Sequence, residues 1–376
     1  NLFLSIAGVL SLFATAEFQY AILLPKSEEK AISCVHIGGL ITLVVVGLLV
    51  CTIPFSETIS GWFNAPNLAE WYWAIPIFVL LSGMWTLLNY WYTRNKRFGE
   101  IGTYQVTQCL TNAAAKCGFG FAGFVNGGLI LSAIVSPFIA LAMSIVTTWK
   151  SSIKQLFSCN QSPLSATFKE YSNFPKYSLP RAIINFFSGN IPIFILTPYF
   201  GLTEIGFFGM ALTLAFYPTT MVSNALGQVL FQKVSSDVQE SKSVVPCIST
   251  IISNLLIVII PLSIVLYFIL PSITTILLGN EWQETGVILQ IILLWVITSF
   301  FCNIFSFIPD IFFKQKTSAL IEVILLIVRV IALFAGISMG NFIYSIAFYT
   351  IGSIIVQLGL LFWYQKIIKD YETQII

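Results

Sequence analysis

The chain has 376 residues, of which 57% are hydrophobic and 9% are charged. A soluble domain carries about 25% charged residues, so this composition excludes an ordinary water-soluble enzyme or binding module. The net charge of +2 gives no indication of a nucleic-acid partner.

Polar and Pro/Gly-rich breaks divide the chain into apolar segments that are each long enough to cross a bilayer, which takes about 20 helical residues. Helices are predicted because the segments exceed the length of a membrane strand and because a helix satisfies its own backbone hydrogen bonds in lipid. The fold class is therefore an all-α polytopic membrane protein. Eleven segments result, near 1–25, 31–55, 71–93, 101–119, 128–149, 179–200, 205–231, 245–270, 287–308, 318–338 and 341–364.

Basic residues lie in every second connection between these segments, and the intervening connections have none. The positive-inside rule places the basic connections, and with them the C-terminal tail, on the cytoplasmic side. Fifteen of the 18 basic residues belong to this set: Lys26, Lys30, Arg94, Lys96, Arg97, Lys150, Lys154, Lys169, Lys176, Lys233, Lys242, Lys314, Lys316, Lys366 and Lys369.

The longest basic connection separates five predicted helices from six. It defines an N-terminal bundle (1–149), a cytoplasmic amphipathic linker (150–178), a C-terminal bundle (179–364) and a cytoplasmic tail (365–376). The unequal halves, and the placement of the first residue outside the cell, lead us to expect that one N-terminal helix is missing.

The linker has a local helix signal of its own. Thr167-x-x-Glu170 predicts a capping box that opens a short surface helix. Its lysines favour a tether on anionic lipid headgroups, and a partner-binding role is the alternative.

Two catalytic patterns occur out of context. Gly336-Ile-Ser-Met-Gly340 has nucleophile-elbow spacing and Gly118-Phe-Gly-Phe-Ala-Gly123 has dinucleotide spacing, but both lie at the ends of apolar helices without the strand that each motif requires. The seven cysteines form no CxxC pair. Neither pattern therefore predicts an enzyme, and we expect no cofactor and no metal.

Polar residues at membrane depth are the candidates for function, because a charge there costs about 2.5–3.5 kcal/mol on insertion scales. Arg181 is followed by Asn185 and Ser188 at i+4 and i+7, a polar face that Asn190 continues. Paired N–H donors of the guanidinium suit a diphosphate, and snorkelling to lipid headgroups is the alternative.

A second polar stripe follows the next helix, with Tyr217, Asn224 and Gln228 on one face. It indicates a surface that meets water or sugar, or one that forms hydrogen bonds between helices. Lys116 ends a third stripe in the N-terminal half, where it either snorkels or attracts an anionic group.

Glu17, Glu322 and His36 are candidates for ion coupling or for a charge network, and Arg329 is a further candidate for substrate binding. Glu322 and Arg329 are seven residues apart, hence on one helix face, and either form a buried network or contact the ligand. Glu17 can bind a proton or sodium ion or balance an arginine. His36 either titrates near neutral pH or is a hydrogen-bonded helix residue.

Several short motifs occur in order along the chain and carry a family resemblance. Tyr171-x-x-Phe-Pro-x-Tyr-Ser-x-Pro180 leading into Asn185, Gly206-Phe-Phe-Gly and Gly279-Asn-Glu-Trp282 resemble bacterial polysaccharide-biosynthesis transporters. These are the O-antigen and capsule flippases of the superfamily that also contains multidrug and toxin extrusion transporters.

The resemblance implies two six-helix bundles around a central cavity, of which five and six helices are present here. It implies a flippase that moves undecaprenyl-diphosphate-linked oligosaccharide across the bacterial inner membrane by alternating access. Membrane lipids, a polysaccharide polymerase and glycosyltransferases of lipopolysaccharide or capsule synthesis are the expected partners.

The chain departs from the family at Glu17-Phe-Gln19, where members often have a basic residue, an aromatic residue and an acid. The resemblance therefore does not predict a charged cavity residue at this position. Two alternatives stay open, an ion-coupled multidrug exporter of the same superfamily and, from another class, a membrane glycan polymerase.

Overall fold

The computed structural model describes residues 2–62, 67–123, 127–149, 153–157 and 163–375. Every regular element within these ranges is a helix, which confirms the predicted fold class. Nine of the described helices are long and apolar enough to cross a membrane. The chain is a multi-pass membrane protein.

Chain contacts separate two compact units, Asn1–Leu179 and Pro180–Ile376. Both cores are built from helix faces rich in Ile, Leu and aromatic residues. The helices of the first unit are α1 (Leu2–Phe13), α2 (Glu28–Cys51), α3 (Ser56–Trp62), α4 (Asn67–Trp71), α5 (Ala74–Arg94), α6 (Phe98–Phe121), α7 (Gly128–Thr148), α8 (Lys154–Leu156) and α9 (Leu164–Glu170).

The second unit consists of longer helices. α11, α12 and α16 have 38, 34 and 34 residues, well beyond the roughly 20 that cross the hydrocarbon. Its helices are α10 (Leu179–Phe200), α11 (Leu202–Gln239), α12 (Val245–Leu278), α13 (Gln283–Ile304), α14 (Ile308–Ile311), α15 (Gln315–Ile337) and α16 (Phe342–Ile375).

The prediction of one span over 1–25 is wrong. α1 ends at Phe13, and a 3-10 helix over Phe18–Leu23 follows after two residues of positive φ, Ala16 and Glu17. Arg94 of α5 stabilises this irregular stretch, because its guanidinium donates to the main-chain oxygens of Ile22 at 2.9 Å and Pro25 at 2.7 Å. Without such a partner, those carbonyls would be buried unpaired.

The segment predicted over 101–119 forms helix α6, but α6 is not one of the nine apolar spans. The reason is its polar stripe: Tyr104, Gln108, Asn112 and Lys116 lower its hydropathy. Tyr104 is buried and stacks on Trp85 of α5.

The capping-box prediction is also wrong. α9 begins at Leu164, after Pro163, so Thr167 lies inside the helix and its hydroxyl donates back to the Pro163 carbonyl at 3.2 Å. Glu170 ends the helix and forms an ion pair with Lys30 of α2 at 3.1 Å.

The described part of the linker contributes to the core of the first unit. Tyr171 and Phe174 are buried, and burial raises the pKa of the Tyr171 hydroxyl. A π-helical turn over Phe174–Ser178 then leads into α10. Lys150 and the polar run 158–162 of the predicted linker lie outside the described residues.

Candidate functional site

Arg181 lies in the first turn of α10, where its guanidinium is paired. Nη2 donates to Asp310 Oδ2 at 3.1 Å, and Nη1 donates to the Ser318 hydroxyl at 3.2 Å. The Arg181 side chain is 13% exposed and that of Asp310 1%. The cation predicted to meet a diphosphate is therefore bound to a buried carboxylate of its own unit.

Asn185 lies one turn further along α10 and contacts the next polar position of α15. Its amide nitrogen lies 3.3 Å from both carboxylate oxygens of Glu322. Asn185 is exposed and Glu322 half-buried. Glu322 forms no ion pair with another described residue, so its charge is balanced only by dipoles and by more distant arginines.

Arg329 is the most enclosed of the predicted cations, at 4% exposure. Nη1 donates to Ser188 of α10 at 2.6 Å, and Nε donates to Ser353 of α16 at 2.9 Å. The guanidinium also lies 5.5 Å from the ring centroid of Trp295 and 5.3 Å from that of Tyr349. Desolvated contacts of this kind favour arginine over lysine.

These three contacts form one ladder between α10 and α15. On α10, Arg181, Asn185 and Ser188 are spaced by four and three residues. Their partners on α15 are Ser318, Glu322 and Arg329. Glu322 and Arg329 follow Ser318 by 4 and 11 residues, close to one and three helical turns, so the three partners share a face. The structure thus brings together five predicted site residues, Arg181, Asn185, Ser188, Glu322 and Arg329.

The stripe on α11 is different, because its side chains are open. Tyr217 is 79% exposed, Asn224 is exposed and Gln228 is half-buried. None of the three makes a side-chain hydrogen bond with another described residue. A row of hydroxyl and amide groups without partners on an apolar helix is chemically able to bind a hydroxyl-rich ligand.

The candidates of the first unit do not form one cluster with each other. Lys116 is exposed and forms no ion pair with another described residue. Glu17 is buried and accepts a hydrogen bond from Gln19 Nε2 at 3.1 Å. His36 bonds to the main chain of Leu156 and lines an apolar cavity. The side chain of Asn190 lies outside the described part of the structure.

Sequence reasoning missed Asp310, the partner of Arg181. The sequence did contain a signal, an acidic residue between the apolar residues Ile308-Pro309 and Ile311-Phe312. It was overlooked because it lies at the end of a predicted span. Ser353, Trp295 and Tyr349 were also missed, because they are ordinary residues of apolar helices until Arg329 packs against them. In the described ranges, no three His, Cys, Asp or Glu residues are grouped to hold a metal.

A family model described as polysaccharide biosynthesis protein matches residues 2–287. The chain belongs to this family. The family resemblance predicted from the short motifs is thereby confirmed. No sequence among the curated proteins matches the chain.

Solved transporters share the fold of this family member. A mutant of VcmN, a MATE transporter of Vibrio cholerae, is similar with a TM-score of 0.78 and 14% identity over 98% of this chain and 86% of that one. A MATE protein in complex with MaD5 is similar with a TM-score of 0.75 and 11% identity over 99% of this chain and 88% of that one. An outward-facing multidrug resistance MATE transporter of the MOP superfamily is similar with a TM-score of 0.72 and 12% identity over 99% of this chain and 86% of that one. At these identities the likeness shows the fold.

Proposed function

We propose that the chain is a transporter, not an enzyme, that flips an undecaprenyl-diphosphate-linked oligosaccharide, an O-antigen or capsule repeat unit, by alternating access. Membership of the polysaccharide biosynthesis family and the MATE fold support this proposal. The observation that carries it is the open polar stripe of α11, Tyr217, Asn224 and Gln228. A glycan cannot cross hydrocarbon without replacements for its hydrogen bonds to water, and such side chains supply them.

The three cations have different roles in this proposal. Lys116, exposed and without an ion-pair partner among the described residues, attracts the diphosphate electrostatically. Arg181 binds it by exchanging the carboxylate of Asp310 for phosphate oxygens, since both accept bidentate N–H donors. Arg329 holds α10, α15 and α16 together.

Coupling to an ion is assigned to the acids. Glu322 has an amide neighbour, Asn185, in place of a cation, an arrangement that tolerates gain of a proton or of a sodium ion. Glu17 and His36 are further candidates for this role.

The orientation follows from charge. The basic connections and the C-terminal tail face the cytoplasm of the bacterial inner membrane, where the lipid-linked substrate is assembled. Glycosyltransferases supply that substrate and a polysaccharide polymerase consumes the flipped product, so these enzymes are the proposed partners.

The proposal is tested in cells that lack the gene. We expect surface polysaccharide to disappear and to return with the wild-type chain, whereas resistance to cationic compounds stays unchanged. Intact polysaccharide together with sensitivity to cationic compounds would instead indicate a drug exporter. Single repeat units on the surface, without longer chains, would indicate a polymerase.

A further inference from the structure

A cavity of about 530 Å³ lies in the first unit, where α2, α5 and α7 meet the linker helices. Its volume falls within the roughly 300–1,000 Å³ of ligand pockets. Aliphatic and aromatic side chains form nearly the whole lining, including Trp149 and Phe157, whose ring centroids are 5.8 Å apart. The cavity is thus shaped by five helices and not by one exposed helix face.

Lining residues on the outer wall are exposed and apolar. Leu40 and Leu43 of α2 are 52% and 60% exposed, and α2 belongs to one of the apolar spans. Such side chains meet lipid in a bilayer, so the molecules that reach the cavity from this side are hydrocarbon chains.

The cavity begins at the linker helices and extends along α2 as far as Leu43, about 22 Å from Glu28. His36 is eight residues after Glu28, the first residue of α2, and hence about 12 Å along the helix. Lys30 marks that end of α2 as the basic, cytoplasmic side. Half of the hydrocarbon core is about 15 Å thick. The cavity thus runs from the basic end through this half of the core, so a chain that enters from the linker end belongs to a lipid of the cytoplasmic leaflet, where a lipid-linked substrate is made.

One polar atom of the lining is unsatisfied. Thr42 donates its hydroxyl to the Gly38 carbonyl at 2.9 Å, but Nδ1 of His36 is buried and has no hydrogen-bonding partner among the described residues. Buried polar atoms are nearly always paired with protein, water or ligand. The other ring nitrogen bonds to the main chain of Leu156, so Nδ1 of the neutral ring accepts a hydrogen bond, and a water molecule suits it.

We propose that this cavity binds the polyisoprenoid chain of the lipid-linked substrate, with its phosphorylated end toward the linker helices at the basic end of α2. The inference rests on the proposed function, because that function supplies the isoprenoid. It adds a tail-binding site in the first unit to the polar stripe proposed for the glycan.

Two glycines of α2 provide a matched pair of variants. A Cβ on Gly39, which lines the cavity, has no atom within 4 Å, so a larger side chain can enter the empty volume. Gly47 on the same helix has equally open surroundings and does not line the cavity. Gly39→Phe therefore fills the site, and Gly47→Phe places the same ring elsewhere.

The experiment uses the full chain in nanodiscs of defined phospholipid and undecaprenyl phosphate with a photoreactive group on its chain. We expect cross-links to peptides of α2 and α8, at least tenfold weaker in Gly39→Phe and unchanged in Gly47→Phe. Gly39→Leu, a smaller filler, should give an intermediate loss, and all variants are compared by melting temperature. Unlabelled undecaprenyl phosphate should compete, whereas phosphatidylglycerol should not.

Three results would overturn the tail site. These are equal labelling in Gly39→Phe and wild type, equal loss in both phenylalanine variants, or competition by phosphatidylglycerol as strong as that by undecaprenyl phosphate. The last result would make the cavity an ordinary phospholipid site. Labelling measures binding and not translocation, so these results would not contradict the proposed function. A wild-type chain that binds undecaprenyl phosphate but does not flip the substrate would contradict the proposed function and not the tail site.

Discussion

Arg181 Nη2 and Asp310 Oδ2 lie 3.1 Å apart and join the first turn of α10 to the short helix α14. The pair is 129 residues apart in sequence, and its carboxylate is almost completely buried. A buried charge that loses its partner costs far more than a surface charge. The same arginine thus has a structural partner in this conformation and a proposed ligand in another.

The energetic coupling of this pair is the first prediction. We expect Arg181→Ala and Asp310→Ala each to lower the free energy of unfolding by about 3–5 kcal/mol, and the double variant to lose clearly less than the sum. Equilibrium unfolding in detergent measures this cycle. The exposed pair Lys30–Glu170 serves as the control, with an expected coupling of about 0–1 kcal/mol. Additive losses at Arg181 and Asp310 would contradict the ion pair.

The geometry around Arg329 gives a second prediction. Arg329→Lys keeps the charge but cannot reach both Ser188 and Ser353 while lying against Trp295 and Tyr349. Since a hydrogen bond to a charged group contributes about 1.5–3 kcal/mol, we expect a loss of at least about 2 kcal/mol in the same unfolding assay.

Lys316→Met, an exposed change on the same helix, is the control for Arg329 and should stay within about 0.5 kcal/mol of wild type. If Arg329→Lys were as stable as wild type, the guanidinium contacts of Arg329 would contribute nothing to the free energy of unfolding.

The α11 stripe gives the third prediction. Asn224→Leu removes an exposed amide without opening the core, so we expect normal protein abundance and melting temperature. Export of surface polysaccharide should fall about tenfold, the effect of losing one hydrogen bond worth about 1.4 kcal/mol. Met221→Leu, 70% exposed on the same helix, is the matched control. Full export by Asn224→Leu would remove this residue from the binding surface.

The C-terminal end of α16 gives the fourth prediction. Glu372 Oε1 accepts hydrogen bonds from the main-chain nitrogens of Val244 at 2.8 Å and Val245 at 3.3 Å, and so caps the start of α12. Glu372→Ala should cost about 0.5–2 kcal/mol and speed hydrogen exchange at these two amides. Asp370→Ala should leave both rates unchanged. Unaltered exchange in Glu372→Ala would exclude the cap.

Helical periodicity was enough to predict the polar faces. The spacing of Arg181, Asn185 and Ser188, and that of Glu322 and Arg329, depends only on 3.6 residues per turn, and the structure places these residues on facing sides of α10 and α15. Hydropathy likewise predicted most of the spans, because burial in lipid acts on each helix separately.

Partners distant in sequence could not be predicted in this way. Asp310 meets Arg181, and Arg94 meets Ile22 and Pro25, only after helices pack, and no local pattern encodes that packing. The same cause explains the irregular stretch after α1, which depends on a guanidinium from α5. For α9, the local capping signal was misleading because the helix starts one turn earlier, after Pro163.

Translocation in vesicles tests the proposed flippase most directly. The purified chain is reconstituted with an undecaprenyl-diphosphate-linked oligosaccharide, and a membrane-impermeant glycosidase added outside reports the glycan that reaches the outer leaflet. We expect the wild-type chain to expose the inner pool and Asn224→Leu to do so about tenfold more slowly. An inner pool that stays as protected as in protein-free vesicles would contradict the proposal.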